Sequence, residues 1–160
     1  MLCNYAHTYS DAVIRYHVSD MSLYCDTDVD FLVQPNAWSC YSGYFYLGNE
    51  PPPSPIKPKP RPYVPVLIVS KTLCGVLDSV SEAKTGGSSH NSQMEIIIRQ
   101  NFTALEHLHN PTPIKTDNST PDDFVNNNIE KKLSKTWNMW WYSVQDCSVL
   151  DKLRIYWDTA

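Results

Sequence analysis

The sequence predicts a single α/β domain. Strand-like stretches with turn residues between them occupy the first half of the chain. A capped, amphipathic pattern between about residues 79 and 105 predicts a long helix. A short strand then ends at Asp117, where the chain turns through Asn and Ser towards another helical pattern. Strands that alternate with helices in this way are typical of a sheet with helices packed on it.

Composition sets the class of protein. The chain has 160 residues, of which 42% are hydrophobic and 12% aromatic, enough for the core of one domain. No long apolar run and no charged-then-apolar N-terminus is present, so we expect an intracellular protein that is neither secreted nor membrane-spanning. The five cysteines are widely spaced and predict neither a disulfide framework nor a zinc site. The net charge of −4 is unfavourable for binding nucleic acid, because phosphate contacts usually need a basic surface.

The first strand is predicted over residues 23–32. One face carries small and apolar side chains, and the other carries Tyr24, Asp26, Asp28 and Asp30. Carboxylates crowded on one face repel each other, so either a cation lies nearby or this is a solvated edge strand. Residues 42–48 predict its hairpin partner, and the apolar run at residues 65–70 predicts a buried third strand.

A proline-rich stretch at residues 51–62 predicts an extended loop, because proline cannot donate ladder hydrogen bonds. Two interpretations stay open. The P-x-x-P-x-K spacing from Pro52 to Lys57 fits a ligand of an SH3-type groove, which would make the chain a non-catalytic binding module. We favour a stiff, weakly basic insertion in which Lys57, Lys59 and Arg61 contact a phosphate backbone.

The long helix is predicted to begin after Ser79. Glu82 follows three residues later, which is the spacing of a capping box and gives Glu82 a structural role. Glycines at residues 86–87 are expected to weaken the helix by about 1 kcal/mol each. The amphipathic pattern recovers between Met94 and Leu105, where we expect core residues.

Asp117 is the first candidate for chemistry. It stands at the end of a short strand, at the mouth of an α/β sheet, where open sheets place their ligands. The alternative is that residues 117–120 form only a turn and a helix cap. A short helix over residues 122–128, a longer one over 129–144 and a last strand over 152–157 are predicted to follow.

A series of motifs runs in order along the chain, at residues 5–9 (Tyr-Ala-x-Thr-Tyr), 13–16, 19–21, 42–48, 81–83, 116–120 and 134–139. The ordered set resembles the ribonuclease H region at the C-terminal end of a copia-type retrotransposon polyprotein. The resemblance implies a ribonuclease H-like fold with a mixed five-stranded sheet, its first three strands antiparallel and helices packed across it. Residues 1–20 would be a connecting segment, and residues 21–160 the domain, with a proline-rich loop at 51–65.

The resemblance also implies a chemistry. The family cleaves RNA in RNA/DNA hybrids with two Mg²⁺ (or Mn²⁺) ions about 4 Å apart. It implies Asp28, Glu82 and Asp117 as catalytic metal ligands and a fourth acidic position, where this chain has Asn138. Asn118 and Lys135 would contact nucleic acid. Expected partners are the hybrid and the reverse transcriptase domain of the parent polyprotein, and we expect a monomer.

Several residues depart from the family pattern. Asn138 brings no negative charge, and Lys84 stands where the resemblance implies glutamate. Five positions lack an expected arginine: Trp38, Cys40, Cys74, Trp140 and Cys147. All these changes are single C-to-T or G-to-A changes in codons. They predict a degenerate element copy, a pseudoenzyme with weak or no activity.

Overall fold

The computed structural model describes residues 7–11, 13–53, 55–59, 64–119, 122–123 and 135–158, with the backbone alone at 135–137. Five strands are present: β1 (Ser22–Gln34), β2 (Trp38–Gly48), β3 (Pro65–Leu73), β4 (Thr112–Thr116) and β5 (Leu153–Trp157). Within the described residues two long helices accompany them, α1 (Val80–Ala104) and α2 (Lys135–Val149), and a single 3-10 turn (Pro35–Ala37) joins β1 to β2. The helix predicted over residues 122–128 falls mostly outside the described residues.

The strands form one mixed sheet in the order β3-β2-β1-β4-β5. β1, β2 and β3 are antiparallel neighbours, whereas β4 is parallel to both β1 and β5. Helix α1 packs on β1 and β2, and α2 packs on α1. The prediction of a mixed five-stranded sheet whose first three strands are antiparallel is therefore confirmed.

Strand β1 alternates as predicted. Leu23, Cys25 and Val29 are buried in the core under α1, whereas Asp28 and Asp30 are exposed. The opposite face is also partly covered, since Tyr24 is buried and stacks on Tyr46 with ring centroids 5.3 Å apart. This strand is therefore central in the sheet, and the interpretation as a solvated edge strand is wrong.

The predicted third strand is present, but the prediction that it is buried is wrong. Strand β3 pairs only with β2 and forms one edge of the sheet. Its side chains Val66 and Ile68 are 44% and 64% exposed, while Val69 and Leu73 are buried. A short apolar run looks the same in sequence whether helices cover both of its faces or one. Here α1 lies mainly over the neighbouring strands, so β3 receives little cover.

Helix α1 is continuous from Val80 to Ala104, although the two glycines lie inside it. A Cβ on Gly87 would lie 2.4 Å from Val29 Cγ2, and one on Gly86 would lie 2.8 Å from the Trp140 ring. The glycines therefore allow close approach of α1 to the sheet and to α2. Tertiary packing outweighs the low helix propensity that predicted a weak point.

The buried face of α1 is unusually polar, with Ser88, Ser89, Asn91, Ser92 and Glu95 all almost fully enclosed. The Asn91 side-chain amide donates hydrogen bonds to Thr27 Oγ1 at 2.7 Å and to the Ser42 carbonyl at 2.8 Å. These bonds fix α1 against β1 and β2 at one rotation. Neither described helix is long and apolar enough to cross a membrane.

Glu95 makes stability depend on pH. Its side chain is 0% exposed, and the nearest cationic atom, Arg99 Nε, lies 3.5 Å away. Burial raises the pKa of Glu95 from 4.5 to about 7, against the opposing charges of Arg99 and Lys152. Because the folded-state pKa is raised, the stabilising contribution of protonated Glu95 is full below about pH 4.5 and is lost as pH rises through about 7.

We expect Glu95→Gln to remove this loss. Relative to the parent, the variant should gain about 3 kcal/mol in unfolding free energy between about pH 4.5 and about pH 8. Urea unfolding of both proteins across that range measures the difference. Parallel stability curves for the two proteins would contradict the expectation.

Candidate active site

The register of the sheet brings Asp28 and Asp117 together. Strands β1 and β4 are parallel, and Thr27 lies opposite Thr116. Asp28 follows Thr27, and Asp117 follows Thr116 directly, so the two carboxylates occupy equivalent positions on neighbouring strands. The sequence pattern predicted Asp117 at the end of a short strand, and the structure places it directly after β4.

Lys84 of α1 lies between the two carboxylates. Its Nζ donates to Asp28 Oδ1 at 2.5 Å and to Asp117 Oδ1 and Oδ2 at 2.7 and 2.9 Å. The Lys84 side chain is 9% exposed, whereas those of Asp28 and Asp117 are 59% and 43% exposed. We call these three residues the Asp–Lys–Asp triad. The two carboxylates are exposed to solvent, and the Lys84 ammonium lies buried beneath them.

The electrostatics of the triad favour the ion pairs. Partial burial would raise the pKa of Asp28, but the bond to the Lys84 ammonium and its charge hold that pKa below the ordinary value. Burial would lower the pKa of Lys84, and the two carboxylates raise it above the ordinary value instead. The next residue along the chain adds a further bond, since the Val29 N–H donates to Asp28 Oδ1 at 2.6 Å. Asp28 and Lys84 are therefore charged at neutral pH.

Glu82 lies outside the triad and caps α1. Its N–H donates to Ser79 Oγ at 3.1 Å, and its Oε2 accepts from the Asp78 N–H at 3.0 Å. Residues two apart on a helix point to different sides. Only one of residues 82 and 84 can therefore face Asp28 and Asp117, and that residue is Lys84.

The predicted metal site is therefore not assembled. Across the described residues, no group of three or more His, Cys, Asp or Glu side chains is arranged to hold a metal ion. The two aspartates that do converge already accept hydrogen bonds from a cation. A Mg²⁺ or Mn²⁺ ion at the same oxygens would have to displace Lys84 or lie beside its positive charge. The residues present do not fit a divalent cation.

The other predicted site residues are not members of the Asp–Lys–Asp triad. Asn138 lies near the start of α2, and its Oδ1 is buried without a hydrogen-bond partner among the described atoms. The backbone N–H of Asn118 donates to Thr116 Oγ1 at 3.3 Å. Lys57 binds Trp157, and Lys59 is exposed. Arg61 lies outside the described residues, and only the backbone of Lys135 is described.

Sequence reasoning missed two members of this region. Lys84 was read only as a substitution, although its distance of two residues from the capping Glu82 already put it on another side of the helix. Trp157 was not singled out, and its indole N–H donates to the Asp117 carbonyl at 3.2 Å. No local pattern connects residues 40 positions apart, so only the fold reveals this contact.

No protein-family model matches the sequence, and no curated protein does. Solved structures are similar to it. LC11-RNase H1, isolated from compost by a metagenomic approach, superposes with a TM-score of 0.58 at 8% identity, over 87% of this chain and 85% of that one. The N-terminal RNase H domain of a Mycobacterium tuberculosis protein gives a TM-score of 0.48 at 9% identity, over 86% and 84%. RNase H1 from Halobacterium salinarum gives 0.46 at 8% identity, over 87% and 83%.

The first of these likenesses agrees with the sheet. The superposition with LC11-RNase H1 covers most of both chains, as expected of a shared fold. The strand order and directions described above belong to the same architecture. The chain therefore has a ribonuclease H-like fold. At 8% identity, the likeness concerns the fold alone.

Proposed function

We propose that the chain is a ribonuclease H-like domain derived from a copia-type retrotransposon polyprotein, and that it has lost the cleavage of RNA in RNA/DNA hybrids. One observation carries the second part of the proposal. The Lys84 ammonium lies between Asp28 and Asp117, within 2.9 Å of three of their carboxylate oxygens.

The charge of the triad explains the loss. Two-metal hydrolysis needs a cluster of carboxylates whose negative charge holds the ions. Here two negative charges face one fixed positive charge, so the net charge of the triad is only −1. Lys84 thereby supplies the neutralisation that the ions would supply, and it stands where a further carboxylate would be needed.

Origin and partners rest on the ordered sequence motifs. We propose residues 1–20 as the former connection to a reverse transcriptase domain, and residues 21–160 as the domain itself. The ancestral substrate would be an RNA/DNA hybrid. With a net charge of −4 the isolated chain should bind a hybrid weakly, and a tether to a polymerase would compensate by raising the effective concentration.

The alternative, a ligand for an SH3-type groove, is less well supported. That mode needs the basic residue of the P-x-x-P-x-K motif to be free for the partner. Lys57 instead donates to the Trp157 carbonyl at 2.5 Å and lies 4.8 Å from the centre of the Trp157 ring. The motif is therefore engaged within the chain.

A cleavage assay tests the proposal. Purified parent protein should not cut a labelled RNA/DNA hybrid with either Mg²⁺ or Mn²⁺. The double variant Lys84→Glu, Asn138→Asp restores the acidic residues that the family pattern implies, and its rate should exceed that of the parent by about 100-fold or more.

The control adds Asp28→Asn to each protein. Any cutting that survives this change comes from a contaminating nuclease, because Asp28 is part of the triad itself. Cutting by the parent at the rate of the double variant, abolished by Asp28→Asn, would refute the loss of activity.

A further inference from the structure

The proline-rich segment returns to the edge of the sheet. The Arg154 guanidinium donates to the Pro52 carbonyl at 3.1 Å, and Pro58 is fully buried. Between these points the Lys57 ammonium donates to the Trp157 carbonyl and lies over the Trp157 ring. Arg154 and Trp157 both belong to β5, the edge strand on the β4 side. We call residues 51–53 and 55–59 the proline strap, because β5 binds them at two points, Pro52 and Lys57.

Trp157 also reaches the triad. It lies opposite Thr116 in the parallel register of β4 and β5. Its indole N–H donates to the Asp117 carbonyl at 3.2 Å, and the Asp158 N–H donates to the Thr116 carbonyl at 3.2 Å. The backbone of Asp117 is thus held from the β5 side, while Lys84 holds its carboxylate from the α1 side.

We propose that Trp157 is a positioning residue that couples the proline strap to the Asp–Lys–Asp triad. The Lys57 ammonium is attracted to the π-face of the indole and bonds the carbonyl of the same residue, which restricts the ring. The restricted ring presents its N–H to the Asp117 carbonyl. A fixed backbone at Asp117 then keeps its carboxylate within bonding distance of Lys84.

The contacts form a continuous chain from an exposed segment to the triad. Each step is a hydrogen bond or a cation–π contact between named atoms, and none depends on hydrolysis. Loss of the contact between Lys57 and Trp157 should therefore change the contact between Asp117 and Lys84. The coupling stands or falls independently of whether the domain cleaves a hybrid.

NMR on Lys57→Met tests the coupling. The change removes the ammonium and keeps an unbranched apolar side chain. We expect the Trp157 indole N–H to exchange with solvent about tenfold faster than in the parent. We also expect the Asp117 side-chain carboxyl ¹³C signal to shift. Lys59→Met is the matched control, since Lys59 is an exposed lysine two residues away on the strap, and both readouts should keep their parent values.

A second variant separates the two links. Trp157→Phe keeps an aromatic face for Lys57 and removes the indole N–H, so the Asp117 carboxyl signal should shift as it does in Lys57→Met. Unchanged indole exchange in Lys57→Met would overturn the hold of the strap on Trp157. Faster indole exchange in Lys57→Met, together with an Asp117 signal that moves in neither variant, would overturn the positioning role. Backbone amide spectra confirm that each variant is folded.

Discussion

Replacing Lys84 with glutamate is expected to convert the triad into a site that binds divalent cations. The variant would present three carboxylates from β1, α1 and β4 at the place where an ammonium now lies. Without a cation they would repel each other. Because Asp28 and Asp117 are more than a third exposed, solvent screens this repulsion, and we expect a destabilisation of only about 1 to 2 kcal/mol.

The cation response should be large. A ligand that binds only the folded state stabilises it by about 2.7 kcal/mol when its concentration is 100 times the dissociation constant. The unfolding temperature of Lys84→Glu should therefore rise strongly as Mn²⁺ or Mg²⁺ is added, and isothermal titration calorimetry should detect binding. The parent should show neither effect, because its two aspartates are already paired.

Lys84→Met provides the matched control. It removes the ammonium without adding a carboxylate, so it separates loss of the ion pairs from gain of a ligand. We expect it to be destabilised and to respond to Mn²⁺ much less than Lys84→Glu. An equal response in the parent and in Lys84→Glu would show that Lys84 does not keep divalent cations out of the triad.

The two aspartates could be predicted from sequence because their positions depend on local patterns. A strand ending in an acidic residue before a turn is visible in residues 112–118, and alternation along β1 puts Asp28 on the face away from the core. A parallel register between the two strands is then enough to bring the carboxylates together. The pairing of β1 with β4 is the long-range contact that this part of the site needs.

The choice between Glu82 and Lys84 could not be made in the same way. It depends on the rotation of α1 about its axis, which is fixed by tertiary contacts. Asn91 holds the helix through bonds to β1 and β2, and Gly87 packs against Val29. The capping-box spacing around Glu82 was a correct local signal for its structural role, and the resemblance to a nuclease family outweighed it.

The contacts of the proline strap could not be predicted from the sequence either. Lys57 and Trp157 are 100 residues apart, and the composition of the segment only indicated an extended conformation. The prediction of an extended loop is wrong at Ile56, whose N–H donates to the Pro53 carbonyl at 3.1 Å. Two cationic side chains hold the strap against β5: Arg154 binds the Pro52 carbonyl, and Lys57 binds the carbonyl and ring of Trp157. Contacts of this kind leave no periodic pattern in the sequence.

A Cβ at Gly87 is expected to destabilise the fold even though alanine favours a helix. Helix propensity alone predicts that Gly87→Ala stabilises α1 by about 1 kcal/mol. The new Cβ would lie 2.4 Å from Val29 Cγ2 and 3.2 Å from Tyr41 Cβ, both in the buried core. Neither atom is the free end of a flexible side chain, so α1 must move away from the sheet.

Overpacking of this kind costs about 1 to 3 kcal/mol, and it should outweigh the gain in propensity, leaving Gly87→Ala less stable than the parent by up to about 2 kcal/mol. Gly86→Ala is the control with the same chemical change one residue away. Its Cβ would meet the ring of Trp140, a partly exposed side chain of α2 that can shift, so its cost should be smaller. Denaturant unfolding of the two variants measures the contrast. If Gly87→Ala were as stable as the parent, α1 would not be held at the close distance that also brings Lys84 between the two aspartates.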